Sequence, residues 1–426
     1  MTKRALLIAF HFPPQAASSG IQRTLSFSKH LGKFGWEPMV LSAHPRAYSQ
    51  QNPSQLTSVP ANLVVRRVFA LDSKRHMGIK GRYLELLALP DRWISWWLGA
   101  VPAGLSLVKQ YQPQVIWSTF PISTAHLIGL TLHRLTGLPW VADFRDPMLQ
   151  RSYPSSTLQR KLYGWIERQT ITRCSMAVFT TYSAMDAYRT RFPHLPASKF
   201  TVIENGYDED GFDMSALPVP PTPQAATRRL TLLHSGVLYQ TGRDPSAFLQ
   251  ALAMMKQSGR TDAARLRVVL RAPGEGAYVE ALVHKYGVAD IVEVAPPIPY
   301  REALHEMLAA DGLIVFQGTP FNTQVPAKIY EYFRARKPIF GLVDSTGETA
   351  RVMRDAGFHH QAAPENSEAI VSVLGQFIDL VAQGEAHIAS DELVAGSSRE
   401  HRAKQLATVL EQACGTQRAP APALMR

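Results

Sequence analysis

The chain has 426 residues, 46% of them hydrophobic and 19% charged, which is typical of a globular protein with a large core and favours two domains of about 200 residues each. Its two cysteines, Cys174 and Cys414, exclude a disulfide framework or a cysteine-rich zinc site, and the short apolar run that opens the chain lacks the cleavage site of a signal peptide. The net charge of +11 comes from residues 1–215, with 24 Lys and Arg against 13 Asp and Glu, and without a nucleic-acid motif this favours an anionic bilayer as partner over nucleic acid.

The first 41 residues predict a strand, a loop, a helix and a second strand. The loop, residues 11–20, is rich in Pro, Ser and Gly and leads into a helix over 21–31. A small-residue loop that points at a helix N-terminus admits a phosphate, here next to Gly20. Arg23 either assists that phosphate or is an ordinary solvent-facing helix residue. Residues 44–80 show little periodicity and are predicted to be irregular.

Residues 83–98 are rich in tryptophan and are flanked by arginines. Tryptophan favours bilayer interfaces, so this segment is a candidate for docking on a membrane that carries a lipid-linked acceptor. The alternative is that the rings belong to the core of the first domain. The apolar stretch 93–108 is too short to span a bilayer, because a helix needs about 20 residues for that.

The run from Pro139 to Pro147 reads PWVADFRDP and predicts a strand that ends in two carboxylates, Asp143 and Asp146. Carboxylates at a strand end suit the orientation of a hydroxyl group or a general base. Alternatively, Asp146 caps a loop and Asp143 pairs with Arg145. A second acidic run, residues 208–210, has an Asp-x-Asp pattern, but its Gly-flanked surface setting argues against a metal site.

Four prolines within residues 217–223 predict a stiff linker, after which a second set of strands begins at residue 230. Arg243 precedes a helix that is predicted from Pro245. A guanidinium there would stand beside the N–H groups that a pyrophosphate uses. The alternative is an ion pair of Arg243 with Asp244 or Glu331.

The most informative stretch is residues 317–343, QGTPFNTQVPAKIYEYFRARKPIFGLV, which predicts a strand end, an open loop, a helix and a further strand. Such loops lie at the carboxyl edge of parallel sheets, where ligands bind. Lys328 and Glu331 stand in the first turns of the helix, suited to a phosphate and to ribose hydroxyls, respectively. The alternative is a solvated face with an i, i+3 ion pair.

VPAKIYEYFRARKPI and the Asp-Phe-Arg-Asp-Pro run resemble a branch of the retaining glycosyltransferase family 4, which has the GT-B fold. The resemblance implies that Arg243 and Lys328 bind the donor diphosphate, that the loop around Gly20 approaches it from the other domain, and that Glu331 holds the ribose. Asn322, Thr323 and Gln324 fall at the donor-sugar loop, and Thr323 stands where the family usually has a first glutamate. In the loop between the strand that begins at residue 230 and Arg243, Val237 stands where family members often have an arginine.

We therefore expect an α/β protein of two Rossmann-like, doubly wound domains that face each other across a cleft. The expected boundaries are an acceptor-side domain over 1–215, a linker over 216–227, a donor domain over 228–396, a helix over 397–414 that returns to the first domain, and a disordered tail over 415–426. The resemblance implies a transferase that uses a nucleotide-diphosphate sugar, retains anomeric configuration, and needs neither a cofactor nor a metal.

The expected acceptor is a bacterial surface glycan or its lipid-linked precursor, and the expected location is the cytoplasm, with peripheral contact to the inner face of the membrane. Asp143, followed by Asp146, is the predicted acceptor contact. Two alternatives remain open. A GT-B sugar-nucleotide 2-epimerase shares the architecture, although the loop 317–325 holds no carboxylate or histidine. A non-catalytic, membrane-docked partner of a glycan assembly complex is the other, suggested by Thr323 and Val237.

Overall fold

The structure is a computed structural model that describes residues 2–16, 20–78, 85–150, 153–212 and 229–415. The predicted linker over 216–227 and the predicted tail beyond Gly415 lie outside the described residues. The described chain forms two compact units. One contains the residues up to Asn205 together with those from Arg399 onward, and the other runs from Gly206 to Ser398.

The first unit is built on a parallel sheet of seven strands in the order β3-β2-β1-β4-β5-β6-β7. The strands are β1 Lys3–Ile8, β2 Trp36–Ala43, β3 Val64–Val68, β4 Val115–Thr119, β5 Trp140–Phe144, β6 Met176–Phe179 and β7 Phe200–Val202. The order reverses between β1 and β4, so their carboxyl ends flank a topological switch point, the usual place for a ligand in open parallel sheets.

Helices cover both faces of this sheet. They are α1 Gly20–His30, α2 Ser73–His76, α3 Ser95–Tyr111, α4 Ser123–Thr136, α5 Thr157–Arg173 and α6 Tyr182–Arg191, with α14 Arg399–Gly415 from the end of the chain. Helices α1 and α14 pack together over one face of the sheet, whose buried side chains include Leu7 and Trp117. Helices α3, α4 and α5 pack side by side over the opposite face.

The second unit contains a parallel sheet of six strands in the order β10-β9-β8-β11-β12-β13. The strands are β8 Leu230–Ser235, β9 Leu266–Arg271, β10 Val292–Ala295, β11 Gly312–Gln317, β12 Ile339–Val343 and β13 Gln361–Ala362. The helices are α7 Ser246–Gln257, α8 Gly276–Lys285, α9 Tyr300–Ala309, α10 Lys328–Ala335, α11 Glu348–Asp355, α12 Ser367–Gln383 and α13 Asp391–Gly396. Here the switch point lies between β8 and β11.

Two doubly wound parallel α/β units confirm the predicted fold class. The prediction that residues 44–80 are irregular is wrong over Val64–Val68, which form the edge strand β3. In the tryptophan-rich segment, Trp96 is completely buried in the core and Trp97 is partly buried, donating its Nε1–H to Thr131 Oγ1 at 3.0 Å. Trp96 therefore follows the core interpretation. In the described ranges, no helix combines the length and apolar character needed to cross a bilayer.

Candidate functional site

In the second unit, the residues predicted to bind phosphate meet at the switch point of the sheet. The loop after β8 and the loop after β11 are joined by a backbone hydrogen bond, in which Gly318 N–H donates to Gly242 C=O at 2.7 Å. Gly242 has φ +81°, and a Cβ there would come 2.9 Å from the Phe321 ring. Glycine is therefore required for the two loops to approach this closely.

Lys328, the first residue of α10, reaches across to the end of β8. Its ammonium donates a hydrogen bond to Ser235 C=O at 2.6 Å. The chain at Gly236 adopts φ +132°, and a Cβ there would lie 2.5 Å from Lys328 Nζ, so the absent side chain makes room for the ammonium. Burial and the nearby Arg243 guanidinium lower the pKa of Lys328 to about 7, although Glu331 opposes the shift. Lys328 is thus a cation in an environment that disfavours its charge.

Arg243 is held beside it by aromatic rings and an amide. Its guanidinium carbon lies 5.4 Å from the ring centre of Tyr239 and 5.3 Å from that of Phe321, and Nε donates to Gln317 Oε1 at 3.0 Å. Burial lowers the pKa of Arg243. Asp244, the expected alternative partner, instead accepts hydrogen bonds from Ser246 N–H at 3.0 Å and from a tyrosine hydroxyl. Within the described residues, Arg243 makes no ion pair with a carboxylate.

Glu331 lies one turn into α10 and is partly buried. Its Oε1 accepts a hydrogen bond from the hydroxyl of Tyr300, at 2.8 Å, and the Tyr300 side chain is 53% exposed. A carboxylate so placed keeps oxygens within reach of the surface beside the Lys328 ammonium, with which it interacts electrostatically. This arrangement is suited to accepting hydrogen bonds from vicinal hydroxyls.

The loop of Asn322, Thr323 and Gln324 is braced from the end of β12. Asn322 Nδ2 donates to Asp344 Oδ2 at 2.9 Å, while Gln324 C=O accepts from the Thr349 hydroxyl at 3.0 Å. The hydrogen bond from Asn322, together with those from Thr346 and Thr319, holds the pKa of Asp344 below its ordinary value. The side chain of Thr323 is exposed at the loop surface. The Asn322 amide therefore shapes the loop, and Thr323 is the loop side chain that faces outward.

In the first unit, Asp143 at the end of β5 is completely buried. Its carboxylate accepts two hydrogen bonds from Arg23, at 2.8 and 3.0 Å, and one from Thr119 Oγ1 at 2.9 Å. Arg23, only 4% exposed, also donates to Ile203 C=O at 2.9 Å. Arg23 is thus not a solvent-facing helix residue, and the partner of Asp143 is Arg23 rather than Arg145, the partner in the alternative interpretation.

Arg145 lies instead against the N-terminus of α1. A Cβ on Gly20 would collide with Arg145 Nη1 and would come 2.9 Å from His11 Nδ1. Burial lowers the pKa of Arg145, while Asp146 and Asp143 oppose that shift. Burial and Arg145 together lower the pKa of His11 to about 3. Asp146 is partly buried and retains surface, in contrast to Asp143.

The structure brings Lys328, Arg243 and Glu331 together at one edge of the second unit, and it groups Gly20 with Arg145 in the first. Sequence reasoning missed Gln317, which fixes Arg243, and the buried His234, whose Nδ1 lies 2.9 Å from Ile314 C=O. Both residues lie at the carboxyl ends of strands that apolar runs predict. Their position at the ligand-binding edge of the sheet could therefore have been inferred from the sequence.

Comparisons with known proteins agree with this architecture. Residues 20–206 match the family model described as the glycosyl transferase 4-like domain. No curated protein matches the chain in sequence.

Solved structures extend the comparison to the whole chain. Sucrose-phosphate synthase from Thermosynechococcus elongatus superposes with a TM-score of 0.61 at 13% identity, over 97% of this chain and 100% of the other. Anabaena HepE in complex with UDP and glucose gives 0.61 at 13% identity, over 96% and 99%. A UDP-N-acetylglucosamine 2-epimerase gives 0.53 at 12% identity, over 100% and 99%. Because the sequence identities are this low, the likenesses establish only the fold, which is a glycosyltransferase-like GT-B fold.

Proposed function

We propose that the protein is a glycosyltransferase that moves a sugar from a nucleoside-diphosphate donor to a hydroxyl acceptor. The observation that carries the proposal is the pair of cations at the switch point of the second sheet. Lys328 and Arg243 repel each other, and neither forms an ion pair with a carboxylate in the described chain. A diphosphate bound beside both would relieve that repulsion, because each cation would gain an opposite charge.

This placement suits departure of the nucleoside diphosphate. As the bond from the sugar to the diphosphate breaks, negative charge grows on the leaving oxygen. Fixed cations stabilise that charge more in the transition state than in the ground state, which is the condition for faster chemistry. Because Gln317 and two rings hold Arg243, and Ser235 holds Lys328, little reorganisation is needed during the reaction. Glu331 accepts hydrogen bonds from the donor ribose in this proposal.

Within the second unit, we assign Thr323 to the donor sugar, with Asn322 and Gln324 shaping the loop that presents it. Thr323 is exposed, whereas the Asn322 amide donates to Asp344 and Gln324 C=O accepts from a threonine. A hydroxyl in place of the usual carboxylate removes a charged acceptor from this position. We therefore expect a weaker grip on the sugar hydroxyls than a glutamate would give.

On the acceptor side, burial changes the assignment made from the sequence. Asp143 has no exposed surface and its oxygens are bonded to Arg23 and Thr119, so we assign it the positioning of Arg23. Asp146, which retains surface beside Arg145, becomes the candidate acceptor contact. Gly20, at the start of α1, remains the candidate for a diphosphate contact from the first unit.

The finer parts of the function rest on the resemblance and on charge. Retention of configuration, metal independence and a surface glycan or lipid-linked acceptor all follow from the likeness to glycosyltransferase family 4. The excess of Lys and Arg in residues 1–215 supports an acceptor held at an anionic bilayer on the cytoplasmic side.

The test is incubation of the purified protein with a panel of nucleotide sugars, with and without a bacterial lipid extract as acceptor. Sugar transfer, or slow hydrolysis of one donor, supports the proposal. Reversible isomerisation of the donor would identify an epimerase instead. If the protein neither binds nor turns over any donor, the alternative of a non-catalytic partner remains. Thermal shift with nucleoside diphosphates is the companion measurement, since a ligand at about 100 times its Kd stabilises a protein by about 2.7 kcal/mol.

A further inference from the structure

The outer surface of α3, α4 and α5 in the first unit has an unusual combination of side chains. The three helices pack side by side, and together they contain six Lys or Arg but only one acidic residue, Glu167. Glu167 is 1% exposed and is paired with Arg191 and the Tyr188 hydroxyl, so it contributes no carboxylate to the surface. The outer face of this layer therefore carries positive charge without an exposed acid.

The same face exposes large apolar side chains. On α5, Leu158 and Trp165 are 46% and 44% exposed. The exposed Lys161 lies between them in the sequence, and the exposed Arg168 follows Trp165. Positions 158, 161, 165 and 168 follow the three- and four-residue spacing that puts side chains on one helix face. On α3, which packs against α4, Leu98 is 63% exposed. We call this surface of α3, α4 and α5 the basic-apolar face.

Trp165 distinguishes the basic-apolar face from an ordinary solvated helix surface. Of the seven tryptophans in the chain, Trp165 alone counts as exposed, while the others, Trp96 among them, are buried or partly buried. A tryptophan and a leucine on the same face as basic residues, without an exposed acid, match a helix that lies in the plane of an anionic bilayer. A protein partner would more often be met by charges of both signs.

We propose that the basic-apolar face docks the protein peripherally on an anionic lipid bilayer, with Trp165 and Leu158 in the headgroup region and Lys161 and Arg168 against lipid phosphates. This is a different tryptophan from those of the docking candidate in residues 83–98, where Trp96 belongs to the core. The basic-apolar face shares no residue with the proposed donor site, so donor binding in solution is expected to survive its alteration.

The experiment is sedimentation of the full chain with vesicles of phosphatidylcholine alone and of phosphatidylcholine with about one third phosphatidylglycerol. Binding is expected only to the anionic vesicles and is expected to weaken as salt screens the charges. Lys161→Gln with Arg168→Gln should weaken it about 30-fold, because each basic residue near such a surface contributes about a fivefold factor. Trp165→Ser should weaken it further.

The matched control removes the same charge elsewhere. Arg260 and Lys285 are exposed residues of the second unit, and Arg260→Gln with Lys285→Gln should leave vesicle binding unchanged. An equal loss in both double variants would show that net charge, not this face, drives binding, and would overturn the proposal. Absence of binding to anionic vesicles at low salt would also overturn it and would leave the face to a protein partner. The part of the acrylamide quenching of tryptophan fluorescence that is absent from Trp165→Ser must fall when vesicles are added to the wild-type protein.

Discussion

The lowered pKa of Lys328 predicts that nucleotide-sugar binding weakens as the pH rises through neutrality. An ordinary lysine stays charged to about pH 10, so a solvent-exposed lysine would give no such dependence. In the unliganded protein, burial and Arg243 bring the pKa of Lys328 to about 7, and the ammonium is lost above that pH. Bound phosphate favours the ammonium, so the complex takes up the proton and binding is strongest at low pH.

The size of the effect follows from the fraction of Lys328 that is charged. With a pKa of about 7, half of the free protein carries the ammonium at about pH 7 and about one hundredth at about pH 9. If the complex keeps its proton throughout, the Kd should rise about 50-fold over that range, which is about 2.3 kcal/mol of binding free energy.

The thermal stability of the unliganded protein should increase over the same pH range, while ligand affinity decreases. The unfolded chain holds this proton up to about pH 10.5, so it binds more protons than the folded chain in this window, and the contribution of Lys328 to stability rises with pH.

The assay is calorimetric titration of the preferred donor at four pH values between about 6 and 9. A nucleotide sugar is used because its phosphates, unlike a terminal phosphate with a second pKa near about 6, do not titrate in this range. Lys328→Met should bind weakly at every pH, with the slope abolished. Lys285→Met, which removes an exposed lysine of the same unit, should keep the wild-type slope. A wild-type Kd that is constant across the range, or an unaltered slope in Lys328→Met, would refute the assignment of Lys328 to the phosphate.

Three further predictions test the neighbouring residues. Gly236→Ala should abolish nucleotide binding in a folded protein, because the new Cβ would lie 2.5 Å from the Lys328 ammonium. The control is Gly375→Ala, at a helix position where a Cβ would have nothing within 4 Å. This variant should bind nucleotide normally, and its free energy of unfolding should rise by about 0.5–1 kcal/mol in chemical denaturation. Asp143→Asn should lower the free energy of unfolding by about 3–5 kcal/mol, since it leaves the Arg23 charge buried without its partner; a loss under about 1 kcal/mol in urea titration would contradict this. Glu331→Gln should erase the preference for ribose over 2′-deoxyribose donors in competition assays, and a preference that persists would remove Glu331 from the ribose.

Most of the architecture could be predicted because buried parallel strands appear in the sequence as short apolar runs. The run 312–316 with the breakers that follow it predicts β11 and its loop. Pro326 predicts a helix start, and α10 begins two residues later, at Lys328. The edge strand Val64–Val68 was not predicted because it pairs with β2 alone and carries two arginines. Arg66 is exposed and the other four residues are only partly buried. The pattern of such a strand resembles that of an irregular basic segment.

The pairing of charges could not be predicted from spacing. Arg145 is two residues from Asp143, and this spacing offers it as a partner for that carboxylate. In the fold, Arg23 reaches the same carboxylate from 120 positions away, and Arg145 lies against Gly20. The helix spacing of Arg23 does not show whether its face is covered, since that depends on the chain around Ile203. Long-range burial decides these pairs, and local sequence carries little information about it.

The most direct test of the central claim is a crystal structure of the protein with a bound nucleoside diphosphate. The account predicts that phosphate oxygens lie within hydrogen-bond distance, about 2.7–3.2 Å, of both Lys328 Nζ and the Arg243 guanidinium at the carboxyl ends of β8 and β11. A diphosphate bound elsewhere on the protein, with these two cations left in contact only with Ser235 and Gln317, would contradict it.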